Sequence, residues 1–334
     1  MLIPIVFPSA GSIWIHQKIT TQSIAPRTGL ARTDLPKRYE LHLDRAAIQT
    51  VINKYRLQAP VTLLAPRADA RRENRMVSCI SRPDHYPAGA FVELDRCMVS
   101  DGCGAESVCR VLLASPELCF LQAALRLSFL EMVKFGFDLC AMYLPDSATE
   151  HGQSQRTPAT NVEALADFLC RAEGLPGSLQ ARKALRYIRD RSNSPMETRL
   201  AMIRILPFGY GGFSVGGDEL NGNVVFSEEA AAVFGRKSCS CDALWREKKT
   251  ALEYDSNETH LSIDQHNWDK RKITALTMDG YKVFTITANM VANIQETEKT
   301  FLGLRKMLGL RTNMSRILET RDKRRELVRF LRMI

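Results

Sequence analysis

Apolar and polar positions along the chain alternate between two periods. "APVTLLAPR" (59–67) and "GAFVELDR" (89–96) are short, β-branched and apolar, which predicts strands, with a charged turn or arm, "RADARRENR", between the first of them and "MVSCISR". "SPELCFLQAALRLSFLEMVKFGFDLCAMYL" (115–144) is apolar at helical spacing, with Ser115 as N-cap, Pro116 at N1 and Gly136 as the expected break. The polar stretch "PDSATEHGQSQRTPATN" (145–161) reads as a linker or loop, and two short helices follow it, "VEALADFLCRAEG" and "LQARKALRYIRDR". From Ser194 the order becomes helix, strands, helix, strand, helix. "SPMETRLAMIRIL" (194–206) opens on a cap residue and proline, and "NGNVVFSEE", "SCSCDALW" (238–245) and "TALEYD" (250–255) read as strands. "LSIDQHNWDKRKITALTMDG" (261–280) reads as a helix closed by Gly280, and "YKVFTIT" (281–287) as a buried strand. Strand, helix and strand in so few residues imply a parallel, right-handed crossover. Helices around 289–309 and 312–332 close the chain, the last one strongly basic.

These elements predict an α/β chain, α+β overall. Residues 1–150 form a mixed α/β domain, 151–193 a linker with short helices, 194–310 a second α/β domain, and 311–334 a basic C-terminal helix. A length of 334 residues suits two domains, because single cores stop growing near about 250–300 residues. The most apolar stretch is interrupted by Glu117, Arg126, Glu131, Lys134 and Asp138, short of the ~18–20 uncharged residues that a membrane span needs. The first residues carry no basic group ahead of their apolar run and no cleavage site, so the expectation is a cytoplasmic protein with no membrane partner.

Nine cysteines, an odd number, in a chain this large suggest reduced thiols. Cys97, Cys103 and Cys109 lack the C-x-x-C pairing or neighbouring histidine of a zinc site, and Cys239 and Cys241 suit strand packing. A net charge of +9 favours a polyanionic partner, because neutralised phosphates release counterions.

The chemistry concentrates in one predicted hairpin, "SCSCDALW-REKK-TALEYD". If the turn Arg246 to Lys249 sets the register, Trp245 faces Thr250, Asp242 faces Glu253, and Ser240 faces Asp255. Period two then places Asp242, Glu253 and Asp255 on one face with Leu244 and Ala251. Directly opposed residues hold their Cβ atoms about 4.5–5.5 Å apart, so two carboxylates there repel unless a positive group lies between them. Two solutions are open. One is a divalent cation such as Mg²⁺ or Mn²⁺, held by Asp242 and Glu253 with the Tyr254 carbonyl as a further ligand, since magnesium takes hard oxygens and needs only one or two carboxylates. The other is an exposed edge neutralised by Arg246, Lys248 or Lys282.

At these residues the chain resembles a known family. "SPMETRL", "CDALW", "ALEYDSNETH" and "DKRKITALTMDGYKVFTIT", between Ser194 and about Ala288, look like the PD-(D/E)XK nuclease fold. They most resemble bacterial relatives of the very-short-patch-repair endonuclease. The resemblance implies a restriction-endonuclease-like α-β-β-β-α-β core and metal-dependent hydrolysis of DNA phosphodiesters, as a nuclease or nickase. It implies Asp242 and Glu253 as the metal-binding acids, and Glu197 as the first-helix glutamate. His260 falls where the repair enzymes carry an active-site histidine, able to protonate the leaving oxygen or orient the water. His266, Lys270, Arg271 and Lys272, with Asp269, match the following helix, which faces nucleic acid. Two positions depart from the pattern. Cys241 replaces a proline. Asp255 replaces the lysine, as in repair-type relatives that also lack it, and a carboxylate there binds a second cation, acts as base or marks a decayed site. Glu197 also has a plainer role, as the N3 acid of a Ser194-x-x-Glu197 capping box.

The Gly-rich "GYGGFSVGG" fits neither a P-loop nor a dinucleotide fingerprint and reads as a turn. The basic "RDKRRELVRF" suits either phosphate contact or docking through its Leu and Phe positions. The N-terminal half, through "APVTLLAPR" and "ASPELCFLQAA", resembles abortive-infection-type antitoxin regulators, which implies nucleic-acid or protein-partner binding with Arg67, Arg71, Arg72 and Arg75 facing phosphate. A non-catalytic DNA-binding regulator with a decayed nuclease fold is therefore the alternative function, and a plain interaction protein the third.

Overall fold

The computed structural model describes residues 2–4, 31, 63–65, 77–79, 85–100, 106–145, 152–255 and 263–332. The chain divides into two compact units, Met1–Thr149 with Ser154–Ile188, and Glu150–Gln153 with Arg189–Ile334. Among the described residues no helix is long and apolar enough to cross a membrane.

The first unit contains strands β1 (Leu2–Pro4), β2 (Leu63–Ala65), β3 (Val77–Cys79), β4 (Phe91–Ser100) and β5 (Glu106–Ala114). β4 and β5 form an antiparallel hairpin that β1 joins in parallel along β5, and β2 and β3 make a separate parallel pair. Cys97 and Cys109 stand opposite each other in the hairpin, while Cys103, Arg67, Arg71, Arg72 and Arg75 lie outside the described residues.

The helix expected over 115–144 is two helices, α1 (Pro116–Ala123) and α2 (Phe129–Cys140). The break falls before Phe129 and not at Gly136, because Ser128 starts a new helix: its hydroxyl accepts from Glu131 N, and Glu131 Oε2 accepts from Ser128 N at 2.8 Å. Gly136 lies inside α2, where a Cβ would collide with the Ile188 side chain, so the glycine serves close packing.

β6 (Tyr143–Pro145) and β7 (Gln153–Gln155) follow, then α3 (Val162–Arg171) and α4 (Ser178–Leu185). Residues 154–188, expected as linker and short helices, cluster with the first unit. Their anchor is polar: Arg156 is buried and donates to the carbonyls of Ala141 and Asp138, and Thr160 donates to Glu117.

The second unit runs α5 (Pro195–Ile205), β8 (Glu219–Val225), α6 (Glu228–Phe234), β9 (Ser238–Trp245), β10 (Thr250–Asp255), α7 (Ile263–Met278), β11 (Lys282–Thr287), α8 (Ile294–Met307), α9 (Met314–Glu319) and α10 (Arg321–Arg332). The sheet order is β11-β10-β9-β8, with β8, β9 and β10 an antiparallel meander and β11 parallel to β10 across the α7 crossover. α6 is an element the sequence reading lacks. Its signals are Ser227, whose hydroxyl accepts from Ala230 N at 3.2 Å, and Gly235, which ends the helix at φ +85°. Val224, Phe234, Cys239, Cys241, Leu244, Ala251, Ala275 and Leu276 form the core between sheet, α6 and α7.

α10 belongs to this unit and does not stand apart. Leu327 and Leu331 are buried, and the fully buried Arg324 donates to Glu298 Oε1 of α8 at 2.7 Å, beside Arg321 on Oε2. Lys323 pairs with Glu326, Arg325 with Asp322, and Arg332 donates to the Ala292 carbonyl. Most of the basic charge on the helix is therefore engaged internally, and its Leu positions dock it.

A candidate carboxylate–lysine site on the central hairpin

The turn fixes the β9/β10 register as expected: Thr250 faces Trp245, Ala251 faces Leu244 and Leu252 faces Ala243. The ladder stops at Leu252–Ala243, one residue short of the expected Asp242–Glu253 pair. Tyr254 N–H donates to Asp242 Oδ2 at 2.7 Å, so a side chain replaces the backbone partner. This N–H orients the Asp242 carboxylate and is a different atom from the Tyr254 carbonyl expected as a further cation ligand.

β8 extends the same row. Between the pairs Leu220–Ala243 and Gly222–Cys241, Asn221 stands across from Asp242, at φ +49°, a conformation Asn tolerates better than most residues. Its Nδ2 donates to Glu197 Oε2 at 2.6 Å and to the Arg191 carbonyl at 2.8 Å. Asn221 thus ties the first-helix glutamate to the sheet. Glu197 also receives the Asn193 N–H at 2.9 Å and the Ser194 hydroxyl at 3.2 Å. Ser194 caps the helix through its hydroxyl, which accepts from Glu197 N at 3.1 Å, but the Glu197 carboxylate takes the Asn193 N–H and not the Ser194 N–H of a capping box, and Asp242 is near enough to act on the same carboxylate.

Burial raises all three acids. It pushes Glu197 up to about 7, with the Asp242 charge adding to it against the hydrogen bonds from Asn193, Asn221 and Ser194. Burial pushes Glu253 up to about 7 as well, opposed by Lys272 and reinforced by Asp242. Asp242 is raised by burial, and Tyr254 N–H, Lys272 and Arg204 hold the rise in check.

The positive group between these acids is Lys272 of α7. Its Nζ lies 2.7 Å from Glu253 Oε2, with the two side chains 16% and 15% exposed. Burial works against its charge, but Glu253, Cys241 and Asp242 keep its pKa above the ordinary value. Lys272 was expected to face nucleic acid together with Lys270 and Arg271. Lys270 and Arg271 are exposed, whereas Lys272 turns inward. Lys272 precedes the buried Ala275 and Leu276 by three and four positions and so shares their helix face. The pairs expected to neutralise an exposed edge lie elsewhere: Arg246 binds Glu219, and Lys248 donates to the Leu308 carbonyl.

Glu253 Oε1 is buried without a hydrogen bond of ordinary geometry, beside the Cys241 thiol, a weak donor. Beneath Asp242, the buried Arg204 of α5 pairs with Asp218 and stacks over Trp245 at 5.3 Å. Arg204 is a site neighbour that the sequence reading did not single out. Asp255 ends β10 opposite Thr287, and its side chain has no hydrogen bond or ion pair among the described residues. His260 lies outside the described residues, as does the side chain of His266.

Among the described residues no three His, Cys, Asp or Glu side chains converge as a metal-ligating cluster. What the structure brings together is Asp242, Glu253 and Lys272, with Glu197 alongside. No protein-family model, curated protein or solved structure matches the chain.

Proposed function

We propose that the second unit is a metal-dependent DNA endonuclease or nickase with a restriction-endonuclease-like α-β-β-β-α-β core. The observation that carries this reading is the row Asn221, Asp242, Glu253 across three strands, where the β9/β10 ladder opens and Glu197 and Lys272 approach from two helices. A meander followed by a helical crossover to a parallel strand supports it, and so does the order of the residues along the chain. Polyanion binding is supported by the net charge of +9 and by the exposed Lys270 and Arg271 on the helix that carries Lys272.

The donor set fits a hard divalent cation: Glu253 Oε1 is a buried carboxylate oxygen without an ordinary partner, Asp242 lies beside it, and magnesium needs only one or two carboxylates. Mg²⁺ or Mn²⁺ bound by Asp242 and Glu253 would polarise a phosphodiester and acidify water there. The chain's own residues do the rest. Tyr254 N–H and Asn221 fix the carboxylates of Asp242 and Glu197, Lys272 supplies positive charge beside Glu253, and Lys270 and Arg271 hold backbone phosphate. His260 is assigned the proton at the leaving oxygen or the orientation of the water. Asp255 is left without a role in this assembly.

A second reading, a non-catalytic DNA-binding regulator, is favoured by one observation. Each of the three acids already has an internal partner, namely Tyr254 N–H, Lys272, or the Asn193–Ser194–Asn221 group. Supercoiled-plasmid nicking with Mg²⁺ or Mn²⁺ separates the two. The nuclease reading expects relaxed circles with wild type and none with Asp242→Ala. Equal cleavage by both proteins sinks the site, and DNA binding with no cleavage by either establishes the regulator.

A further inference from the structure

We propose that Lys272 is a built-in counter-cation of the site, occupying Glu253 until a divalent ion displaces it. The inference rests on the metal-dependent reading and adds to it how the site is regulated.

The argument starts from charge. Asp242 and Glu253 follow the last ladder pair, Ala243–Leu252, on neighbouring strands, and two carboxylates so placed destabilise the hairpin if both are ionised and uncompensated. Lys272 supplies the compensation from inside the fold, at 2.7 Å from Glu253 Oε2 and 84% shielded from solvent by its 16% exposure. Its neighbours in sequence, Lys270 and Arg271, point to solvent, so the inward turn of this one lysine follows from the helix face it shares with Ala275 and Leu276. One ammonium therefore partly offsets the acids of the hairpin with no metal present.

The same contact sets a cost on metal binding. A divalent ion at Glu253 and Asp242 meets an ammonium group already on one of the two oxygens of Glu253. The two cations repel, or the lysine must leave. A long, flexible lysine can leave, because its four-carbon stem lets the ammonium swing from the carboxylate to solvent or to a phosphate arriving beside Lys270 and Arg271. Apparent metal affinity is lowered by the lysine and restored when a polyanion offers it another partner. In this way the nucleic acid would control loading of the site.

The test is Mn²⁺ titration of the full chain, read by the electron paramagnetic resonance signal of free Mn²⁺, for wild type, Lys272→Met, Lys272→Arg and Asp242→Asn. Lys272→Met is expected to bind Mn²⁺ at least about tenfold more tightly than wild type, from removal of a like charge at close range. Lys272→Arg stays near wild type, and Asp242→Asn loses binding. A melting temperature that Mn²⁺ raises further for Lys272→Met than for wild type supports the same conclusion. Equal or weaker binding by Lys272→Met, with wild-type binding that still depends on Asp242, overturns the inference and leaves the metal-dependent reading standing. Absence of Mn²⁺ binding in every protein overturns both. Should Lys272→Met fail to fold, wild-type protein decides. Acylation of Lys272 by an amine-reactive ester, quantified by mass spectrometry, must increase on adding Mg²⁺, and an unchanged or slower reaction overturns the displacement.

Discussion

Replacing Glu253 by Gln tests the electrostatics of the hairpin without reference to any reaction. Burial lifts the Glu253 carboxyl from its ordinary 4.5 to about 7 in the folded chain. A group with a raised folded pKa binds more protons in the native state than in the unfolded state between those two values. Its contribution to stability is therefore present below about pH 4.5 and is lost as pH rises through about 7. At about 1.36 kcal/mol per unit, a rise of roughly 2.5 units corresponds to about 3 kcal/mol of stability lost across that window. The site is largely buried, so solvent screening removes little of this. Gln has nearly the shape of the protonated acid and does not titrate. Glu253→Gln should thus match wild type near pH 4.5 and be more stable by about 3 kcal/mol near pH 8 in metal-free buffer. Urea unfolding of the full chain from pH 4.5 to 8, followed by tryptophan fluorescence, measures it, since Trp245 and Trp268 both lie in the second unit. A difference between the two proteins that stays constant across the range would refute the reasoning, because it would mean Glu253 is solvated or fully compensated by Lys272.

Three further outcomes are expected. In metal-free buffer, Lys270→Ala and Arg271→Ala should each reduce the salt dependence of DNA binding by about 0.9 in log–log slope, whereas Lys272→Ala, whose ammonium there sits on Glu253, leaves the slope unchanged; fluorescence anisotropy at several salt concentrations reads all three. Glu298→Ala should destabilise the second unit by about 3–5 kcal/mol in denaturant titration, because it strands the fully buried Arg324. Gly136→Ala should cost about 1–3 kcal/mol despite the better helix propensity of alanine, and Ile188→Ala in the same chain should recover part of it, since the added methyl group meets Ile188.

Local signals carried much of this architecture. Ser194 with Pro195 starts α5, Gly280 ends the crossover helix segment, and a turn between Trp245 and Thr250 fixes the register of the pairs that lead up to Asp242 and Glu253. Each of these depends on residues within a few positions of one another, so the sequence contains all that decides them. α6 was legible too, in Ser227 and Gly235, but a strand and a short helix of similar apolar content are hard to separate by periodicity alone. The helix break before Phe129 went to Ser128 and Glu131 for the same local reason, and Gly136 misled because its use is a contact with Ile188, fifty-two positions away.

What the sequence by itself determined, then, is the order of the elements and the residues that the hairpin brings face to face. The tertiary structure alone decided which charge answers those acids. Lys272 could face solvent or sheet until Ala275 and Leu276 bury one side of α7, and that burial turns its ammonium onto Glu253. Asn221 reaches Glu197 only because β8 lies beside β9 with one register. Desolvation, which raises Glu197 and Glu253 to about 7, is a property of the closed core and of no single segment. The strands set where the acids stand, and the packing of the helices against them sets how those acids behave.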